Sequence, residues 1–134
     1  MADSRAIARR AADDGVTAIA ATPHVRADYP TTADEMERGV AELRRDFGAN
    51  GIPVDVLHGG EIDLDFARTL DAGEFCRFTI AQNGVHLLLE CPYIGWRLDL
   101  GQAIRDLVDL GIVPILAHPE RNAEVQARPE RLVP

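Results

Sequence analysis

The chain has 134 residues, 46% apolar and 27% charged, with a formal net charge of -8. That length supports one modest core; it is too short for two ordinary domains or for a complete α/β barrel of about 250 residues. The composition excludes disorder, and the acidic balance opposes non-specific binding to nucleic acid or anionic membrane.

Ser4 to Asp14 reads as a helix, with Ile7 and Ala11 four apart on one face and Gly15 as terminator. Val16 to Ala21 follows as a short apolar strand ending at Thr22-Pro23-His24. Thr31 or Thr32 caps the next helix, with Glu35 completing a capping box and Met36, Val40, Leu43 and Phe47 forming a core-facing stripe. Pro53 to Leu57 is a strand leading to His58-Gly59-Gly60-Glu61. Glu61 to Glu74 is less periodic, with Phe66, Leu70 and Phe75 as anchors for a loop or short helical piece. Phe78 to Ala81 and Val85 to Leu89 read as strands around a Gln82-Asn83-Gly84 turn, the second ending at Glu90-Cys91-Pro92. Tyr93 to Asp99 reads as loop, and Leu100 to Leu110 as an amphipathic helix closed by Gly111. Ile112 to Ala117 is the last strand, weakened by the missing donor of Pro114 and ending at His118-Pro119-Glu120-Arg121; Pro129 to Pro134 opens or precedes a further element. The recurring unit of helix, glycine, apolar strand and polar residue is βα alternation, which predicts an α/β fold with its site at the carboxyl ends of parallel strands.

All 14 basic residues are Arg, which excludes Schiff-base and P-loop lysines but keeps a side chain whose fork fits phosphate. Cys76 and Cys91 form no disulfide framework and no close zinc pair, and read as reduced thiols rather than nucleophiles. Met1 to Arg5 has no apolar stretch behind it like a signal peptide, and no run approaches a membrane span of about 20 residues, so the expected location is cytoplasmic.

His24, Glu61, Glu90 and His118 each follow an apolar strand run. On neighbouring parallel strands their side chains converge at one end of the sheet. Imidazole with carboxylate suits Mn2+, Fe2+ or Zn2+, and a carboxylate can bridge two ions in a hydrolytic site. A strand-end His taken alone is more often a packing residue; the four together raise a polar site to equal standing with that reading. Arg121 is either a surface ion-pair partner of Glu120 or Glu124 or a phosphate clamp, and Arg26 is the weaker second candidate for that clamp. His58 and His86 read as structural, and Asp63 and Asp65 as loop carboxylates. No Gly-rich phosphate cradle and no Gly-x-Ser-x-Gly elbow is present.

The segments Ala20-Ala21-Thr22-Pro23-His24, Gly59-Gly60-Glu61-Ile62, Leu87-Leu88-Leu89-Glu90 and Leu116-Ala117-His118-Pro119-Glu120-Arg121 resemble, in order and separation, the PHP-superfamily protein-tyrosine phosphatases of capsular and exopolysaccharide loci. The resemblance covers nearly the whole chain. It implies the central part of a distorted β/α barrel, incomplete, with residues 1–134 forming a partial metallophosphatase domain. It implies His24, Glu61, Glu90 and His118 as metal ligands, a Glu bridging two ions, and Arg121 binding phosphate beside the catalytic His118. The implied cofactor is a divalent metal, Mn2+ first, with Fe or Zn also suited. The implied reaction is phosphotyrosine hydrolysis by metal-activated water, and the implied partner is an autophosphorylating polysaccharide-export kinase. Oligomeric state is left open.

The family pattern also includes an opening His-x-His strand with a Pro-Gly-x-Asp-Asp-Gly loop, a later ligand His and a C-terminal Asp-x-His. None of these lies in this chain, and the usual Thr-Pro-His-His reads Thr-Pro-His-Val at Val25. Metal geometry is cooperative among ligands and their supports, so low turnover is expected. The alternatives are an inactive α/β fragment with unpaired strand edges and a phosphoesterase of the same superfamily acting on small metabolites.

Overall fold

A computed structural model describes residues 2–92, 94–95 and 99–132. Among the described residues, seven short strands are interspersed with six α-helices. Strands β1 (Ala18–Ala20) and β4 (Asp55–Leu57) pair in parallel. Strands β2 (His24–Arg26), β3 (Tyr29–Pro30), β5 (Glu61–Ile62), β6 (His86–Leu89) and β7 (Val113–Leu116) form a second sheet in the order β3-β2-β5-β6-β7, parallel throughout except for the β2–β3 hairpin.

The two sheets are consecutive parts of one strand layer. Ala21 N–H still donates to Leu57 O at 2.9 Å, and Glu61 N–H donates to Pro23 O at 2.9 Å. Between these bonds the ladder breaks, because Pro23 has no N–H to give. Across the break, His58 to Gly60 turn to another partner: Ala81 N–H donates to His58 O at 2.8 Å and Gly60 N–H to Phe78 O at 2.9 Å. Backbone groups that leave a ladder inside a fold need such substitutes.

The segment supplying them is the predicted Phe78–Ala81 strand, which does not form. Asp71 caps helix α4 (Ala72–Arg77) by accepting from Glu74 N–H, Phe78 ends that helix, and Ile80–Gln82 is a 3-10 turn. Ala81 (φ 57°) and Gln82 (φ 54°) are left-handed, which a strand excludes. Phe78 and Thr79 are apolar and β-branched for another reason: Phe78 fills the core, and the buried Thr79 hydroxyl donates to Cys76 O and accepts from Gly84 N–H. The turn at Gln82 to Gly84 forms, with Asn83 Oδ1 accepting from Val85 and His86 N–H, but it joins the 3-10 turn to β6 rather than two strands.

Helix α2 (Ala33–Ala49) matches its sequence signals. Thr32 and Glu35 form the reciprocal capping box, and Met36, Val40 and Phe47 are buried with Leu43 packed against them. Helix α1 (Ala2–Asp13) is present but turned. Ile7 is exposed, and Ala8 and Ala12 face the core. The small side chains let α1 lie close, and a two-pronged Arg5–Asp46 bond to α2 (2.7 and 2.5 Å) sets its rotation. Helix α3 (Leu64–Ala67) is capped by Asp63, and α5 (Leu100–Asp109) buries Leu100 and Ala103. Strand β7 is regular despite Pro114, because it is an edge strand of the described sheet. The predicted Tyr93–Asp99 loop lies outside the described residues except for Ile94, Gly95 and Asp99, and Pro129–Leu132 forms a further 3-10 turn. Val25, Ile62, Leu87 and Leu89 lie at the centre of the core.

Candidate metal centre

Parallel register carries the polar residues to one end of the sheet. His24 opens β2 directly opposite Glu61 in β5. Glu90 follows β6, one position beyond the Ile62–Leu89 pair, with its N–H donating to Ile62 O at 2.9 Å. His118 lies two residues past β7, after an Ala117 N–H bond to Leu89 O at 2.9 Å. His24 therefore starts a second short strand rather than ending the first.

The side chains meet. His24 Nδ1 is 3.8 Å from Glu61 Oε1 and 3.6 Å from Glu90 Oε2, and His118 Nε2 is 2.8 Å from Glu61 Oε1. One ligand atom each from His24, Glu61 and Glu90 lies within 4.8 Å of the others. Both carboxylates belong to residues only 8% exposed. Buried carboxylates this close repel unless a cation or donors offset them. His24 Nδ1 and Glu90 Oε2 are nevertheless buried without a hydrogen bond, and Glu61 Oε1 has only the close approach of His118 Nε2. These three grouped atoms, two hard oxygens and a borderline nitrogen, fit a first-row divalent ion.

His118 is strained into place. Its φ is 29°, unusual for a side chain with a Cβ, and the following Pro119 restricts it further. Such strain persists where surrounding structure over-determines it. Here the Pro119–Arg121 turn is bound to Asn122, which is 1% exposed. Asn122 Nδ2 donates to Pro92 O (2.5 Å) and Gly95 O (2.9 Å), while its Oδ1 caps helix α6 (Ala123–Ala127). It ties the segment after Glu90 to the segment after His118. Sequence reading missed Asn122; its one signal was the N-cap position before Ala123-Glu124.

Arg121 is exposed and forms no salt bridge among the described residues. Glu124, one of its two predicted partners, pairs instead with Arg128 at 3.4 Å. Arg26 goes elsewhere than predicted: Nη1 donates to Glu90 Oε1 at 2.7 Å, and the guanidinium also engages Asp28. Cys91 is buried and Cys76 half-buried, both reduced. Burial pushes the Cys91 thiol up, with Glu120 and Glu90 adding to it, which opposes the thiolate a nucleophile needs. Asp63 is a helix cap, and Asp65 pairs with Arg68.

The 3-10 turn behind Gly59–Gly60 is anchored through Glu37 on α2. Its carboxylate accepts from Arg77 Nε and Nη2 (2.8 Å each) and from Gln82 Nε2 (2.7 Å). The Arg77 bonds chiefly hold the Glu37 pKa at about 2. A depressed carboxylate contributes stability above its ordinary range, and that stability is lost as pH falls from about 4.5 toward 2. Glu37→Gln is expected to cost about 1 kcal/mol at pH 7 after solvent screening, and almost nothing near pH 2. Urea unfolding midpoints across that range check this; a pH-independent difference between the two proteins would refute the ion-pair origin. Half-buried His58 adds acid sensitivity of the same sign, since burial lowers its pKa.

A parallel α/β layer with imidazoles and carboxylates from four neighbouring strand segments grouped together defines a barrel-type α/β protein with a metal-centre donor set. The chain belongs to the family described as capsular polysaccharide synthesis, CpsB/CapC, which matches residues 1–133. It is 30% identical over 139 residues to the tyrosine-protein phosphatase YwqE of Bacillus subtilis (strain 168), across 98% of this chain and 52% of that protein. It also matches, with a TM-score of 0.80 and 28% identity, a chain from the crystal structures of YwqE from Bacillus subtilis and CpsB from Streptococcus pneumoniae, described as unique metal-dependent tyrosine phosphatases. That match covers 97% of this chain and 53% of the other, so the chain spans about half the length of the relatives it matches. The α/β fold with barrel-type parallel strands expected from the sequence is the fold observed. No helix among the described residues is long and apolar enough to cross a membrane.

Proposed function

We propose that this chain carries part of the metal centre of a phosphotyrosine-protein phosphatase in capsular polysaccharide synthesis. The observation that carries the reading is the convergence of His24, Glu61, Glu90 and His118 at one end of the parallel strands, with orphaned ligand atoms turned inward. In this reading residues 1–134 are one partial domain. His24, Glu61, Glu90 and His118 hold divalent metal, Mn2+ first, with Fe or Zn also suited to the donors. When bound, such an ion supplies positive charge to the phosphoryl oxygens and acidifies water for attack on phosphorus.

The remaining work falls to the chain's own side chains. Arg121, exposed one turn past His118, offers its fork to the phosphate. Two carboxylates fixed by strand register hold the site's negative charge without backbone rearrangement. The substrate is a phosphotyrosine protein, with a tyrosine-autophosphorylating kinase of polysaccharide export as the partner and the cytoplasm as the location.

The test is hydrolysis of phosphotyrosine peptides with added Mn2+, beside phosphoserine peptides and a panel of small phosphate monoesters. Metal-dependent release from phosphotyrosine, at low turnover, is expected. His118→Ala should abolish it, and Arg121→Ala should lower kcat/KM at least tenfold, mainly through KM. Equal rates in wild type and His118→Ala would overturn the reading, and a preference for small metabolites would replace its substrate.

A further inference from the structure

We propose that Arg26 is a positioning residue that fixes the carboxylate of Glu90, holding one oxygen so that the other faces the cation site; the proposal rests on the metal-centre reading. Arg26 lies two residues after His24 on β2, so the strand's two-residue period puts both on one face. Nη1 donates to Glu90 Oε1 at 2.7 Å, while Glu90 Oε2 stands 3.6 Å from His24 Nδ1. One oxygen is occupied by a fixed donor, and the other is buried without a hydrogen bond.

The guanidinium is itself immobilised from its own hairpin. Nε lies 2.7 Å from Asp28 Oδ1, Nη2 donates to Asp28 Oδ2 at 2.9 Å, and Cζ lies 5.4 Å from the centre of the Tyr29 ring. Asp28 belongs to the turn between β2 and β3, so the hairpin that starts with His24 also anchors the arginine. A planar fork held on one edge by Asp28 projects its remaining donor in one direction, toward Glu90. A carboxylate so held loses rotamer freedom before any ion arrives, which is how residues behind a ligand set its orientation. A lysine could not span both carboxylates with the same geometry, and this chain contains none.

The experiment titrates Co2+ alone into the whole chain and follows its visible absorption, with Mn2+ affinity from competition against Co2+. The proteins are wild type, Arg26→Ala, Arg26→Gln, Arg26→Lys and Asp28→Asn, each checked without metal by circular dichroism and melting. Arg26→Ala and Arg26→Gln should bind Co2+ about 10- to 100-fold more weakly and with an altered absorption band, since both Glu90 oxygens become available. Arg26→Lys should restore part of the affinity, and Asp28→Asn should weaken binding less than Arg26→Ala. Any one folded Arg26 variant suffices for the comparison. Affinity within twofold of wild type with an unchanged band would overturn the proposal. Tighter binding in Arg26→Ala would also overturn it, because the guanidinium would then act as a competing charge. A wild-type chain that binds no Co2+ would overturn the metal reading itself, which separates the two failures.

Discussion

Glu61→Gln should abolish stabilisation by Mn2+ while leaving the metal-free chain at least as stable as wild type. Glu61 is the hub of the site. Its Oε1 lies 2.8 Å from His118 Nε2 and 3.8 Å from His24 Nδ1, and its strand partner across the ladder is His24 itself. In the metal-free chain Glu61 and Glu90 are two buried acids with ligand atoms within 4.8 Å. Removing one charge relieves that repulsion, so a neutral amide costs little there. Binding to the native state adds about 2.7 kcal/mol at a hundredfold excess over Kd. For a chain of this size that is roughly 8 °C in Tm. Thermal melts in Mn2+ and in EDTA measure both effects. The expected pattern is a rise in wild type, no rise in Glu61→Gln, and an unchanged or higher Tm for the variant in EDTA. A variant that keeps the full Mn2+ shift would remove Glu61 from the site. A variant that melts far below wild type in EDTA would show that the carboxylate is structural.

Gly60→Ala should be among the most damaging single-methyl additions in the chain. A Cβ at Gly60 would stand 2.9 Å from Phe78 Cδ1 and 3.0 Å from Val25 Cγ2. Phe78 is 1% exposed and Val25 fully buried, so neither has room to withdraw. Overpacking of this kind costs about 1–3 kcal/mol. The strain falls one residue before Glu61, so metal affinity should drop with stability. Gly59→Ala is the control. Its nearest neighbour is Ile80 Cδ1 at 3.0 Å, the far end of a flexible side chain, with Thr22 Cγ2 at 3.1 Å. It should cost less than Gly60→Ala in urea unfolding. Phe78→Leu should recover part of the Gly60→Ala loss, as a double-mutant cycle would show. Wild-type stability in Gly60→Ala would mean that the Phe78 ring gives way more easily than its packing allows.

These two substitutions mark the boundary of what was legible. The four converging residues were found by one rule, that a polar residue after an apolar strand run faces the site in parallel α/β folds. The capping box at Thr32, the stripe on α2 and the helix at Leu100 were equally local, since each depends on residues three or four apart. The Phe78–Ala81 segment was misread because its apolar, β-branched composition reflects burial against Gly60 and Val25, and composition does not distinguish a buried turn from a buried strand. Ile7 was turned outward by the contact of Arg5 with Asp46, 41 residues away.

The sequence by itself determined the alternation of helix and strand, the place of His24, Glu61, Glu90 and His118 along the chain, and the kinship with the CpsB/CapC family, because those depend on spacing and short motifs. The tertiary structure alone decided that Glu61 Oε1 meets His118, that Arg26 takes one oxygen of Glu90, and that Asn122 joins the segments after β6 and β7. Those contacts join residues 57, 64 and 30 positions apart for a physical reason: parallel register places side chains from distant segments at one height, and only packing fixes which atoms then touch.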